Sequence, residues 1–350
     1  MNKNNESDND QADEELLLIE SWLTWLLTSR GRASSTVNKY RGHLKQLQVF
    51  LGERDRSIFQ ADQKSLTEFT GLWLHKQGIA PQSRHVVVAA CRGFYEWLHG
   101  QRLISDNPSS YLLYPSVGRK LPRQLGLMNA EQLLMQADIS SFNGVRDAAM
   151  LALLMGTGMR VAGLVSLNQE SLYWFEHNGV QRLGLIVSEK GENERELPLP
   201  NEAALLLQAY LGHDELQQVD RTLPSGERVL FVSVRNRRVP EHEYRGEARR
   251  LSTKSVWKMI QGYGAAAGLP KELCHPHAFR HMMGAEMMEE ESSTLQVQAV
   301  LGHADPKTSE IYARIARKKL TDVIDKTNPL GKITTAVTPL VQEMKKRGTL

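Results

Sequence analysis

The chain has 350 residues, of which 41% are hydrophobic and 24% charged, and its formal net charge is +3. This length predicts two or three domains at roughly 150 residues each, and the composition excludes wholesale disorder. The sequence has no run of about 18 uncharged apolar residues, begins with a polar acidic stretch and contains two cysteines. We therefore expect a cytoplasmic protein without membrane spans, a secretory signal or a disulfide framework.

The small net charge hides an uneven distribution of charge along the chain. Residues 1–20 contain seven acidic residues and one basic residue, whereas residues 21–120 contain fourteen basic and six acidic residues. A surplus of eight positive charges in the second stretch is typical of a surface that binds a polyanion such as nucleic acid. A solvated basic face on a helical domain explains the same surplus.

The first third of the chain predicts a helical domain. Residues 1–14 contain almost no apolar side chains and predict a disordered acidic tail. Apolar residues then recur at helical spacing in four segments, at residues 16–26, 37–51, 65–77 and 82–99. Four helices with short connections predict an all-α bundle over residues 15–108. Residues 109–126 contain prolines, glycines and a basic run, which favour an exposed linker.

The rest of the chain predicts a mainly helical α+β domain over residues 127–325. Most of it has helical periodicity, including a strongly apolar helix at residues 145–155. Residues 182–199 alternate instead and contain a Lys-Gly turn, which predicts a small β-hairpin or three-stranded sheet. Residues 229–232 predict one more short strand. The final stretch, residues 326–350, has a helix-like portion.

One segment, His275 to His281, combines a predicted helix start with several chemically useful side chains. Pro276 favours a helix N-terminus there, which places His277 and Arg280 on one helix face. An imidazole beside a guanidinium group suits a bound phosphate. His281 lies four residues after His277, but this pair lacks a third ligand at metal-site spacing. Taken alone, the segment is also compatible with capping or core histidines.

Two further motifs surround this segment in the sequence. In Gly-Thr-Gly-Met-Arg160 the glycines allow close backbone approach to a ligand, and Arg160 lies near a predicted helix N-terminus. Leu-Gly-His303 ends another predicted helix, and Tyr312 follows nine residues later. For Tyr312 alone, a half-buried core tyrosine is the common alternative.

The ordered combination of these motifs resembles the tyrosine recombinase (phage integrase) family of the simple two-domain type. The residues that carry the resemblance are Gly-Thr-Gly-Met-Arg160, Lys190-Gly191 in the predicted hairpin, His277-x-x-Arg280-His281, Leu-Gly-His303 and Tyr312. The resemblance covers residues 15–325. It implies a SAM-like core-binding bundle followed by a catalytic domain, which together close as a clamp around duplex DNA.

The resemblance also implies the phosphate chemistry. Tyr312 would attack the scissile phosphate and form a 3′-phosphotyrosyl link with a free 5′-hydroxyl. Arg160 and Arg280 would hold the non-bridging oxygens, and His303 would donate a further hydrogen bond to them. Fixed donors at such oxygens are usually a large catalytic contribution, on the order of 3 kcal/mol for each donor.

Proton transfer and support fall to three other residues in this scheme. Lys190 would protonate the leaving 5′-oxygen, His277 would exchange a proton with the tyrosine, and His281 would support the site from behind. The covalent link conserves the energy of the phosphodiester bond, so no nucleotide cofactor is expected. The arginines and the lysine supply the positive charge, so no metal is expected.

The sequence departs from the family pattern at Gly163. The family usually has Glu or Asp three residues after the first arginine, and that acid is thought to orient the site. Asp147 or Glu170 is a candidate to compensate for the missing acid.

The resemblance implies double-stranded DNA sites as partners, a homotetramer on DNA from free monomers or dimers, and an accessory DNA-bending factor as a candidate partner. Residues 335–346 are a candidate for a C-terminal helix exchanged between subunits. A nucleoid-associated location would follow. The candidate DNA-binding residues are Lys39, Arg41, Lys45, Arg84, Arg119 and Lys120.

Several functions remain compatible with the sequence. A site-specific recombinase or integrase of a mobile element is our first expectation, and an Xer-like dimer resolvase is the second. Because few residues precede the first predicted helix, we expect no arm-binding domain. A type IB topoisomerase-like enzyme and a catalytically inactive DNA-binding relative are further alternatives, and Gly163 is the feature that favours the last.

Overall fold

The computed structural model describes residues 3–117, 125–188, 194–236, 239–290, 293–302 and 316–346. The chain divides into two compact units, Met1–Leu121 and Pro122–Leu350. The described residues are mainly helical, and the second unit contains a three-stranded antiparallel sheet. This architecture confirms the fold class that the sequence predicts.

The first unit is a helical bundle. Its helices are α1 (Lys3–Thr28), α2 (Ser34–Gly52), α3 (Gln63–Glu68), α4 (Leu74–Lys76) and α5 (Pro81–Gly100), and a π-helical turn (Phe69–Trp73) joins α3 to α4. Aromatic side chains fill the core, where the rings of Trp22 and Phe94 meet edge to face with centroids 5.5 Å apart. Leu112 is also buried in this core, so the first unit continues beyond the predicted domain end at Pro108.

Helix α1 begins at Lys3, within the stretch expected to be a disordered tail. No proline or glycine interrupts the sequence between Lys3 and Thr28, and acidic side chains are favourable near a helix N-terminus. The helix that forms along the buried residues of α1 therefore extends toward the N-terminus as far as Lys3. Glu15 is buried, and its carboxylate accepts a hydrogen bond of 2.8 Å from the backbone of Ile58.

The second unit combines helices with the sheet. Its helices are α6 (Leu127–Leu134), α7 (Phe142–Thr157), α8 (Val161–Ser166), α9 (Asn201–Leu211), α10 (Asp214–Gln217), α11 (Thr253–Ala266), α12 (Pro276–Glu289), α13 (Thr294–Leu301), α14 (Ala316–Thr327) and α15 (Thr338–Lys346). Nearly every residue of α7 is buried, as expected for a helix that is apolar on all sides. Helix α7 therefore forms the centre of this domain.

The sheet contains β1 (Leu172–His177), β2 (Val180–Ser188) and β3 (Glu194–Pro198) in that order. The predicted hairpin is confirmed as β2 and β3, which pair from Gly184 opposite Pro198 to Ser188 opposite Glu194. The predicted three-stranded sheet is also confirmed, but the position of strand β1 was not assigned from the sequence, although Asn178-Gly179 is a strong signal for a two-residue hairpin turn. Both turn residues have positive φ, at 53° and 80°.

The prediction of a strand at residues 229–232 is wrong. These four residues are fully buried, but only isolated bridges form here, from Val229 to Asn168 and from Val232 to Arg250. The backbone of Leu230 instead donates to the carbonyl of Leu167 in a loop. A short apolar run thus fits a buried connection as well as a strand.

The segment after α14 packs on its own domain. Arg182 of β2 holds α14 through two hydrogen bonds of 2.7 Å to the carboxylate of Asp325. Further along, Leu330 and Ile333 join the main core, and Val341 of α15 is buried. The helix predicted within residues 335–346 is therefore present, and α15 lies against α9.

No helix in the described ranges has the length and apolar character needed to cross a membrane.

Candidate active site

The Gly-Thr-Gly-Met-Arg160 motif forms the connection between α7 and α8. Helix α7 ends at Thr157, and Gly158 follows in the left-handed conformation with a φ of 62°. A Cβ atom on Gly158 would lie 2.6 Å from Cδ2 of Leu301, so glycine is needed both for the turn and for the approach of α13. Arg160 occupies the residue before α8 and is half-buried.

Arg280 lies on α12, one turn after the N-terminus. His275 caps this helix because its Nδ1 atom accepts a 3.1 Å hydrogen bond from the backbone of Ala278. Arg280 is only 6% exposed. Its Nη1 atom donates to the carbonyl of Gly158 at 2.8 Å, and its Nη2 atom donates to the carbonyl of Leu301. The guanidinium group therefore links the ends of α7 and α13.

Arg160 reaches the same end of α13. Its Nη2 atom donates a 3.1 Å hydrogen bond to the carbonyl of Gly302, the residue after Leu301. The last carbonyls of a helix have no partner within it and carry the negative end of its dipole, so guanidinium groups are favourable there. The structure thus brings together the two arginines that the sequence singled out.

His277 lies in the first turn of α12 with an exposed side chain. Desolvation by its surroundings is the largest cause that lowers the pKa of the His277 imidazole from its ordinary value of 6.5. The further causes are the electrostatic effects of His275, His281, Arg280 and Arg160. These groups act on His277 because they lie close to it, and the neutral imidazole is favoured near neutral pH. His281 is one turn further along α12 and is also exposed.

A groove of about 710 Å³ opens beside His277. Helix α11 forms one wall with Lys254, Trp257 and Gln261, and Val161 of α8 also lines the groove. Trp257 is 41% exposed, so a large aromatic surface is accessible next to the imidazole. The groove thus offers two lysines, Lys254 and Lys271, the carboxylate of Glu272 and an aromatic face beside His277.

Gly163 is buried where α8 lies against the sheet. A Cβ atom at this position would lie 3.1 Å from Cγ1 of Val187 on β2. Neither candidate carboxylate takes the place of the missing acid. Asp147 bonds to Arg146 at 2.7 Å and to the hydroxyl of Tyr263 at 3.0 Å. Glu170 bonds to the side chain and backbone of Arg228. Both carboxylates are therefore engaged away from Arg160.

Three of the predicted catalytic residues, Lys190, His303 and Tyr312, lie outside the described residues. Their neighbours in the chain are described: β2 ends at Ser188, β3 begins at Glu194, and Gly302 is the residue before His303. Of the six catalytic residues predicted from the sequence, the structure brings Arg160, His277 and Arg280 into one site.

The candidate DNA-binding residues of the first unit have different surroundings. Lys39 and Lys45 of α2 are exposed. Arg41 forms two hydrogen bonds, of 2.7 and 2.8 Å, to the carboxylate of Glu20, so its guanidinium group already has an anionic partner. Arg84 is half-buried and donates to the carbonyl of Gly71 at 3.2 Å. Arg119 and Lys120 lie outside the described residues.

Two arginines near the site were not singled out from the sequence. Arg250 donates to the carbonyls of Val165 and Leu167, both at 3.0 Å, and so holds the end of α8. Arg195 of β3 donates to the carbonyls of Ala299 at 3.1 Å and of Val300 in α13. No sequence signal marks them, because bonds from a lone arginine to distant carbonyls leave no spacing pattern.

Among the residues with described positions, no group of three or more His, Cys, Asp or Glu side chains could hold a metal ion.

Comparisons with known proteins identify the family of the chain. The model of the phage integrase family matches residues 127–319, and that of the phage integrase N-terminal SAM-like domain matches residues 19–102. Tyrosine recombinase XerD of Vibrio cholerae is 30% identical over 315 residues, which cover 89% of this chain and 96% of the relative. XerD of Listeria innocua is 28% identical over 314 residues, with coverages of 89% and 98%.

The fold also matches solved structures. The XerH site-specific recombinase bound to a palindromic difH substrate has a TM-score of 0.61 at 18% identity, with 90% of this chain and 88% of that chain covered. Lambda integrase residues 75–356, a dimer bound to a COC′ core site, has a TM-score of 0.58 at 17% identity, with 83% and 96% covered. The chain belongs to the phage integrase family and is a tyrosine recombinase, an enzyme that cleaves and rejoins DNA.

Proposed function

We propose that this chain is a site-specific recombinase whose phosphate site is built on the last turn of α13. The observation that carries the proposal is the convergence of Arg160 and Arg280 on the adjacent carbonyls of Gly302 and Leu301. The two guanidinium groups would bind the non-bridging oxygens of the scissile phosphate. His303, the next residue in the chain, adds a third donor.

Tyr312 is the nucleophile in this proposal. The bond from its oxygen to phosphorus forms as the bond to the 5′-oxygen breaks, and the reverse attack by a 5′-hydroxyl rejoins the strand. His277 accepts the tyrosine proton, a role that its lowered pKa supports because the neutral imidazole is the base. Lys190 protonates the leaving 5′-oxygen, and His281 supports the site. No metal or nucleotide cofactor takes part.

The two units divide the work on DNA. In this proposal residues 15–108, with the buried Leu112 that follows them, form the core-binding domain, residues 109–126 contain the linker, and residues 127–325 form the catalytic domain. Lys39 and Lys45 contact DNA phosphates, together with Arg84, Arg119 and Lys120. Arg41 either leaves the carboxylate of Glu20 to bind a phosphate or keeps its ion pair with Glu20. The groove beside His277 receives the strand next to the scissile phosphate.

The complete reaction takes place in a homotetramer on two DNA sites in the cytoplasm, at the nucleoid. A mobile element is our first proposal for the source of these sites. A chromosome or plasmid dimer resolvase is the second candidate, and the match to XerD over 96% of the relative's length favours it. An accessory DNA-bending factor is a further proposed partner.

A trapping experiment tests this function. Nicked duplexes that represent the DNA around the gene and the rest of the genome are incubated with the chain in EDTA, and covalently bound DNA is sequenced. We expect one recurrent site, and its position at an element end or at a single chromosomal locus separates the two candidates. Covalent capture spread over unrelated sequences would instead support a topoisomerase-like activity, and the absence of any captured DNA would contradict the proposal.

A further inference from the structure

Three arginines from different parts of the chain bind the end of α13. Arg195 of β3 donates to the carbonyls of Ala299 and Val300. Arg280 of α12 donates to the next carbonyl, that of Leu301. Arg160 donates to the carbonyl of Gly302, which directly follows α13. Because these carbonyls lie at the negative end of the helix dipole, each positive group stabilises their position. Arg160 and Arg280 have a place in the proposed chemistry, whereas Arg195 has none so far.

The strand pair that carries Arg195 also contacts α8. Arg195 lies opposite Val187 in the antiparallel pairing of β3 with β2, so the two side chains share one face of the sheet. The side chain of Val187 lies directly against Gly163 of α8, the helix that Arg160 precedes. One face of the β2–β3 pair therefore touches α8 through Val187 and α13 through Arg195.

We propose that Arg195 is a positioning residue that fixes the last turn of α13 relative to the β2–β3 pair, and so keeps Arg160 and Arg280 oriented toward the phosphate. This inference rests on the proposed function, which assigns both arginines to the phosphate. Arg195 bonds to two successive carbonyls, and Arg280 and Arg160 bond to the next two. Release of the first two lets the turn shift, and a misplacement of about 1 Å can cost about 100-fold in rate.

A purely structural brace would be expected to lower stability without a specific effect on the chemistry. Arg182 provides a control because it lies on the same sheet; it is buried, whereas Arg195 is half-buried. It joins β2 to α14 through Asp325, and its other hydrogen bond is to the carbonyl of Leu199, so it does not bond to the carbonyls of α13. The substitutions Arg195→Gln and Arg182→Gln thus remove the same kind of group, and only the first removes hydrogen bonds to the α13 carbonyls.

The first experiment uses the full chain and the DNA site recovered by trapping. Single-turnover cleavage at saturating protein, DNA affinity and thermal midpoint are measured for wild type, Arg195→Gln, Arg195→Lys and Arg182→Gln. We expect Arg195→Gln to cleave about 10- to 100-fold more slowly with unchanged DNA affinity. Arg195→Lys should recover part of the rate because its ammonium group reaches one carbonyl. Arg182→Gln should lower the thermal midpoint and leave the rate within about twofold of wild type.

The second experiment asks whether Arg195 acts through the catalytic arginines. A methylphosphonate at the scissile position is neutral, so less negative charge develops on its non-bridging oxygen and the arginines contribute less. We expect the rate difference between wild type and Arg195→Gln to shrink on this linkage, as it should for Arg280→Lys.

Three results would overturn the inference: a wild-type rate for Arg195→Gln, an equal rate loss for Arg182→Gln, or an unchanged rate ratio on the methylphosphonate. Should Arg195→Gln fail to fold, the same comparisons are made with Arg195→Lys. Failure of the proposed function is recognised separately, because wild type would then form no covalent adduct with any DNA.

Discussion

Arg160 and Arg280 donate hydrogen bonds to adjacent backbone carbonyls, those of Gly302 and Leu301. Arg160 precedes α8 and Arg280 lies on α12, yet both bond to the end of α13, which leads directly into His303. Any change that moves this turn should therefore affect both guanidinium groups together. Gly158 is the residue that most directly allows the turn to approach, because a side chain there would meet Leu301.

We predict that Gly158→Ala lowers the free energy of unfolding by about 2–4 kcal/mol, from backbone strain at positive φ and from the contact with Leu301. Cleavage should fall as well, because the carbonyl of Gly158 also holds Arg280. Denaturant unfolding and single-turnover cleavage measure both effects. Gly179→Ala is the matched control, since Gly179 has a φ of 80° with open space around it. Equal losses for the two variants would contradict the role assigned to the contact with Leu301.

We expect glycine at position 163 to be needed for the close packing of α8 on the sheet. We predict that Gly163→Glu does not raise cleavage, because the new carboxylate would be forced into the buried contact with Val187. In a double-mutant cycle, Gly163→Ala should lower the free energy of unfolding by about 1 kcal/mol less in the Val187→Ala background than in wild type. Additive free energies of unfolding, or faster cleavage by Gly163→Glu, would show that the family's usual acid fits this site.

The sequence predicts those features that depend on local pattern. Apolar periodicity indicates the helices, and the motif containing Arg160 and the one containing Arg280 are each short enough to recognise. It does not predict that Arg195 bonds to α13, since such a contact depends on how distant elements pack. The apolar run at residues 229–232 resembles a strand, but its backbone partners lie in loops, and the sequence does not specify those partners.

The cleavage rate should depend on the protonation of His277. Its pKa is lowered from 6.5, so the neutral base persists as the pH falls below that value, and protonation at still lower pH should slow cleavage. We expect a rate that is constant around pH 7, with an acidic limb below pH 6.5. His277→Gln should be slower and should lack this limb. An identical limb in His277→Gln would assign it to another group. His213→Gln, at the cap of α10, is a suitable control histidine variant.

Two truncations separate folding from assembly. Removal of residues 326–350 deletes Leu330 and Ile333 from the main core, so we expect a loss of several kcal/mol in stability. Removal of residues 338–350 deletes α15 and leaves those two side chains, so the domain should stay folded while assembly of several subunits on DNA weakens. Thermal unfolding and gel-shift assays measure the two effects. Unchanged synapsis by the shorter truncation would count against exchange of α15 between subunits.

The most direct test is to identify the residue that carries the DNA. Wild type and Tyr312→Phe are incubated in EDTA with a nicked duplex of the trapped site, and the adduct is digested and examined by mass spectrometry. We expect a nucleotide linked to the peptide that contains Tyr312, and no adduct with Tyr312→Phe, which should still bind the duplex. A covalent adduct that persists in Tyr312→Phe, or a nucleotide on a different residue, would contradict the assignment of Tyr312 as the nucleophile.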